Sequence, residues 1–162
     1  MSSQLKQREL VPFRLTLHDA QLQIVKSSKR FNVLDCGRRF GKTEFGKFIA
    51  GEMAVYGYPV GWFAPEYRYL NEAWRDMVKL LAPYTVRNNA TEHRIELVTG
   101  GVIEMWSLDS GNAGRSRKYA RVVIDEAAMV PDLLNIWTDA IRPTLTDLIG
   151  DAWFLSTPKG KN

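Results

Sequence analysis

The chain has 162 residues, 45% hydrophobic and 25% charged, the balance of a single globular domain large enough to bury a core. No apolar run approaches the ~18–20 residues of a membrane helix, and the opening MSSQLKQREL lacks the apolar core of a secretory signal. One cysteine and two histidines exclude an internal disulfide and a zinc cluster, so an intracellular protein in a reducing compartment is expected. The net charge of +4 is unevenly placed: residues 1–50 carry ten Lys/Arg against four Asp/Glu, and GRSRKYAR (114–121) has four cations and no acid. Such patches suit either a solvated surface or the phosphates of a nucleotide or nucleic acid.

In chain order, Thr16-Leu17-His18-Asp19 fits a capping box with Thr16 as the cap, followed by Leu17, Ala20, Ile24 and Val25 at helical spacing. Phe31–Cys36 reads as a short strand running into a glycine turn. A helix after Lys42 carries Phe45, Phe48, Ile49, Met53 and Tyr56 on one side and stops at Gly57 and Pro59. Val60–Ala64 reads as a buried strand, and the helix after Pro65-Glu66, with Leu70, Trp74, Met77, Val78 and Leu81, ends at Pro83. His93–Thr99 and Val102–Leu108 alternate around Gly100-Gly101 and predict a hairpin. Arg121–Ile124 is a strand leading into Asp125-Glu126, a helix follows Pro131, and Ala152–Ser156 is the last strand. Strands separated by helices predict an α/β fold: a mainly parallel sheet flanked by helices on both faces, with the hairpin inserted.

The stretch LDCGRRFGKTEFGK (34–47) joins a strand to a helix through Gly41-Lys42-Thr43. That is the tail of the phosphate-binding loop G-x-x-x-x-G-K-[ST], although Cys36 occupies the place of the first glycine and Gly37 stands one position late. Backbone amides of such a loop form an anion nest reinforced by the helix N-terminus. Lys42 is suited to the β/γ-phosphates, Thr43 to Mg²⁺, and Gly41 keeps side-chain bulk away from the phosphates. RVVIDEA (121–127), about eighty residues on, is an apolar strand ending in two acids, the Walker B form. Asp125 then fits the metal and Glu126 the base that polarises the attacking water. Together the two motifs predict a Mg²⁺-dependent nucleotide triphosphatase.

The ordered set of motifs resembles the ATPase domain of the terminase large subunit, the DNA-packaging motor of tailed bacteriophages, over about residues 12–162. The features that carry the resemblance are GRRFGKT with Arg38 four residues before Lys42, the upstream LHDAQLQIV with Gln21, VVIDEAA, and FLSTPKGKN with Ser156-Thr157-Pro158. The resemblance implies a P-loop NTPase of the additional-strand type, in which the strand ending at Ser156 lies between the loop strand and the Asp125 strand. It also implies ATP as the nucleotide, read at adenine by Gln21, with Gly37, Arg38, Arg39, Phe40, Gly41, Lys42 and Thr43 around the phosphates. Ser156, Thr157 and Pro158 would couple hydrolysis to movement. Arg115 is the best match for an arginine finger supplied to a neighbouring subunit, with Arg117 as the alternative, and Arg38 joins Glu126 and the finger as a catalytic candidate.

The implied partners are double-stranded DNA, a portal protein, a small terminase subunit and a homo-oligomeric ring, usually of five subunits, in the host cell cytoplasm and without a membrane. Full subunits of this kind continue to a lid subdomain and a nuclease. This chain is expected to hold the ATPase domain alone, with the sheet edge beside the loop strand exposed. A helicase-type translocase shares the nucleotide core and is the alternative, but a second such domain would be expected; a non-catalytic scaffold would have little need of Glu126. His18 and His93 read as structural or surface residues, the five tryptophans as packing residues, and Cys36 as a small buried apolar residue.

Overall fold

The structure, a computed structural model, describes residues 17–35, 37 and 41–158. Thr16, Cys36, Arg38, Arg39 and Phe40 lie outside the described residues. Strands β1 (Phe31–Asp35), β2 (Pro59–Ala64), β3 (Thr85–Asn89), β4 (Arg94–Leu97), β5 (Val102–Ser107), β6 (Arg121–Ile124) and β7 (Asp151–Ser156) form one seven-stranded sheet in the order β1-β7-β6-β2-β5-β4-β3. β1, β7, β6, β2 and β5 are parallel, while β4 and β3 extend the sheet antiparallel. β7 thus separates β1 from β6, as expected for the additional-strand plan. The hairpin is present as β4–β5, and its second strand also pairs in parallel with β2, which ties it into the main sheet. β1 is an edge strand, and its Val33 is exposed.

Alternation along the strands sorts the core onto two faces. On β6, Val123 joins the cluster under helices α2 (Lys42–Val55) and α3 (Tyr67–Leu81), whereas Val122 and Ile124 face the opposite cluster. Trp62 of β2 and Trp153 and Leu155 of β7 belong to the first cluster; Phe63, Tyr119, Ile141 and Leu145 belong to the second. α3 buries Leu70, Ala73, Trp74, Met77 and Leu81, the stripe its spacing predicts. α2 buries the apolar Phe45, Ile49, Ala50 and Ala54 with Gly46 and Gly51, and also Lys42 and Lys47, while Tyr56, just past the helix end, is 72% exposed.

Small residues bring α2 unusually near the sheet. A Cβ on Gly46 would stand 2.5 Å from Leu155 Cδ1, and one on Gly101 would stand 1.7 Å from the Ala54 carbonyl oxygen. The helix expected after Pro131 is one turn long, α4 (Leu133–Ile136), and continues as a π turn and a 3₁₀ turn. Pro143 lies in that 3₁₀ turn, where its missing amide and its ring stop an α-helix from continuing. β3 was not foreseen: TVRNN is polar and mostly exposed, and it is a strand because β4 offers it a ladder. His93 packs edge-on between Tyr67 and Trp74, at 5.9 and 5.3 Å between ring centroids, a structural position.

Because the Gly101 contact is with backbone, which cannot rotate away, Gly101→Ala is expected to cost about 3 kcal/mol or more. A urea titration showing a midpoint within experimental error of the wild type would contradict the close packing of α2 on the hairpin.

Candidate nucleotide-binding site

α1 (Asp19–Lys26) is capped by His18, the residue two places after the expected Thr16. The His18 Nδ1 accepts from the Gln21 amide at 3.4 Å, and the His18 amide donates to Gln21 Oε1 at 3.2 Å, a reciprocal box built on histidine. Gln21 is 4% exposed, and its Nε2 donates to the Gly41 carbonyl at 3.2 Å. Gly41 caps α2 at φ 75°, in the left-handed region that favours glycine. No such need holds at Gly37, where a Cβ would meet no described atom within 4 Å. Lys42, first in α2, is 5% exposed, and Thr43 is half-buried.

The parallel register carries the other elements to the same end of the sheet. Asp35 pairs with Ser156, and Phe154 with Ile124, so the loop strand, the Ser156 strand and the Asp125-Glu126 tip finish side by side. There the Lys42 ammonium forms an ion pair with the Glu126 carboxylate. The same Glu126 oxygen accepts the Thr157 hydroxyl at 3.5 Å. Three motifs far apart in sequence therefore meet at one carboxylate. Glu126 adopts φ 47°, uncommon for a residue with a side chain and a form of backbone strain that clusters at functional sites.

Asp125 is buried beside this pair. Its amide donates to the Phe63 carbonyl at 2.8 Å, but its Oδ1 has no hydrogen-bond partner among the described residues. Burial pushes its carboxyl up to about 6, with repulsion from Glu126 adding to the rise; Lys42, the Glu126 amide and Lys47 oppose it. Lys47 is a charged neighbour of Asp125 that the sequence did not mark. It lies buried one turn on from Thr43, ion-paired with Asp76 at 2.6 Å and Glu44 at 2.7 Å. Burial opposes its charge, yet those two carboxylates raise its pKa overall.

Arg115 and Arg117 stand apart from this cluster. Arg117 lies 3.6 Å from Glu104 and its guanidinium sits 5.6 Å from the Trp106 ring centroid. The Arg115 side chain is exposed, has no ion pair among the described residues, and borders a cavity of about 210 Å³ with Asp132, Asn135 and Asp139. Ser156 is buried at the end of β7 and Pro158 is exposed.

A seven-stranded α/β sheet with the added strand between the loop strand and the acidic strand, and a lysine and two acids at its carboxyl end, is a P-loop NTPase fold. No family model matches the chain. It is 32% identical over 102 residues to the terminase large subunit of Escherichia phage T5, covering 61% of this chain and 23% of that protein. It is 28% identical to the terminase large subunit of Thermus virus P23-45 over an alignment covering 90% of this chain and 34% of that protein. Among solved structures, the large terminase ATPase domain of Thermus phage P74-26 superposes with a TM-score of 0.75 at 27% identity, covering 97% of this chain and 70% of that one. The chain is thus similar in sequence and fold to the ATPase domain of phage terminase large subunits, and it spans about a quarter to a third of the length of those two relatives. The fold supports an ATP hydrolase.

The Asp125 carboxyl ionises near 3.8 in an unfolded chain and near 6 in the fold. Folding therefore favours the protonated form, and stability from this group is present below about 3.8 and lost as pH rises through 6. Two pH units correspond to about 3 kcal/mol at most. Asp125→Asn is expected to raise the melting temperature of the ligand-free protein by several degrees at pH 8 and by little at pH 4, which thermal unfolding at the two pH values checks.

Proposed function

We propose that this chain hydrolyses ATP to drive double-stranded DNA into a phage procapsid, as the ATPase portion of a packaging motor. The observation that supports this reading best is the meeting of Lys42, Glu126 and Thr157 beside the buried, unpartnered Asp125 oxygen. A triphosphate entering at the N-terminus of α2 meets the helix dipole and the first backbone amides. Its β/γ-oxygens compete with Glu126 for the Lys42 ammonium. Once Lys42 turns to the phosphates, Glu126 is released to accept a proton from the attacking water, and Thr157 keeps its carboxylate oriented. Arg38 and Arg39, next to Gly41 in sequence, are assigned to the phosphates.

The donor set also fits Mg²⁺. Asp125 is a desolvated carboxylate with an unused oxygen, and Thr43 has a hydroxyl at the start of α2. Among the described residues no group of three or more His, Cys, Asp or Glu is placed to hold a metal ion, so nucleotide and water would have to complete the shell. Bound there, Mg²⁺ would neutralise charge on the β- and γ-phosphoryl oxygens.

A ring of identical subunits, five in the full motor, lets Arg115 of one subunit reach its neighbour's nucleotide. Its side chain has no ion pair among the described residues, which supports that choice over Arg117, which Glu104 and Trp106 hold. Portal and small terminase subunit complete the assembly in the host cytoplasm; no described helix is long and apolar enough to cross a membrane.

Glu126→Gln is expected to lower ATP turnover by about 10²–10⁴ while binding ATP as tightly as the wild type or more so, since a competing anion is removed. Calorimetry and a phosphate-release assay check both halves; a wild type without ATP affinity at millimolar nucleotide would overturn the reading. Arg115→Ala should leave the melting temperature unchanged and abolish the rise in specific activity with protein concentration. Arg117→Ala should instead lower the melting temperature.

A further inference from the structure

The Gln21 side chain is held by its own helix and by the phosphate-loop candidate together. Its carboxamide spans two backbone groups of fixed polarity: the His18 amide, which can only donate, at 3.2 Å from Oε1, and the Gly41 carbonyl, which can only accept, at 3.2 Å from Nε2. Those partners determine which end of the carboxamide is oxygen and which is nitrogen. The side chain is 4% exposed and reaches across twenty residues of sequence to do this.

The Gly41 carbonyl also accepts the first intrahelical bond of α2, from the Phe45 amide at 2.9 Å. A trans peptide unit is planar, with its N–H antiparallel to its C=O. Holding the Gly41 carbonyl from two sides therefore fixes the direction of the Lys42 amide, the first donor of the helix N-terminus. Gly41 is in the left-handed region, and a Cβ there would stand 3.2 Å from Gln21 Nε2, so glycine and glutamine are fitted to each other.

We infer that Gln21 is a positioning residue for the phosphate-binding loop, acting through the Gly41 carbonyl on the triphosphate tail and not on the base. The inference rests on the assignment of Lys42 and Thr43 to the phosphates. It predicts that the strength of triphosphate binding, whatever base is attached, depends on α1 remaining docked to the loop.

The test is calorimetric titration of the wild type, Gln21→Ala and Gln21→Glu with ATP, GTP and inorganic tripolyphosphate. Loss of one hydrogen bond should weaken all three ligands by a common factor of roughly 3–10 in Gln21→Ala, leaving the ATP-to-GTP ratio unchanged. Gln21→Glu keeps the acceptor for the His18 amide but sets a carboxylate oxygen against the Gly41 carbonyl, so it should weaken them further without loss of fold by circular dichroism. In turnover, KM for ATP should rise while kcat at saturation holds within about two-fold; general structural damage would lower kcat as well. Weakening confined to ATP, with GTP and tripolyphosphate unchanged, would overturn the inference and assign Gln21 to adenine. A wild type that bound none of the three would overturn the nucleotide reading itself.

Discussion

The ion pair between Lys42 and Glu126 is the contact around which the site is organised. Both partners are largely out of water, and a lysine buried without an anion would be costly to keep charged. Lys42 heads α2, Glu126 follows β6, and the Thr157 hydroxyl that shares the glutamate follows β7. The pair can exist only if β1, β7 and β6 end at one level, which their parallel register enforces. An added phosphate can replace the glutamate as the anion on Lys42. On the proposed reading, this arrangement holds Glu126 on the ammonium and a triphosphate would displace it.

The position of α2 depends in turn on missing side chains. Gly46 lets the helix settle against Leu155 and Trp62, and Gly101 lets the hairpin meet the Ala54 carbonyl. The Thr99 hydroxyl donates to that same carbonyl at 3.2 Å, satisfying a group near the end of the helix. At the other side of α2, Lys47 bridges to Asp76 of α3. The helix that presents Lys42 is thus pinned to the sheet, the hairpin and its neighbouring helix, which gives the lysine little freedom to move away from the strand ends.

Much of this plan was legible in the sequence, for identifiable reasons. An apolar strand that stops at a glycine turn, or at two acids, announces both its burial and its chemistry, so β1 with Lys42 and β6 with Asp125-Glu126 could be read directly. β3 could not, because Thr85–Asn89 has no apolar alternation of its own and becomes a strand only by pairing with β4. The capping pattern points to Thr16, since it favours threonine; a histidine doing the same work through Nδ1 has no such signature. The Lys47–Asp76 ion pair crosses from α2 to α3, and no local pattern encodes it. Sequence resemblance favours Arg115 over Arg117, but not the reason the structure adds: Glu104 and Trp106 of β5 hold Arg117.

The electrostatics of the strand tip also order the two acids by role. Asp125 is the more deeply buried and has an oxygen with no described partner, so its charge is poorly stabilised by the protein itself. Glu126 is closer to solvent and already compensated by Lys42. On the proposed reading, a cation would relieve the first group and a triphosphate on Lys42 would free the second. The two effects would reinforce each other, because a cation at Asp125 would attract the phosphates and phosphates at Lys42 would attract the cation. Each ligand should then bind more tightly in the presence of the other, which follows from the placement of one lysine between two unequal carboxylates.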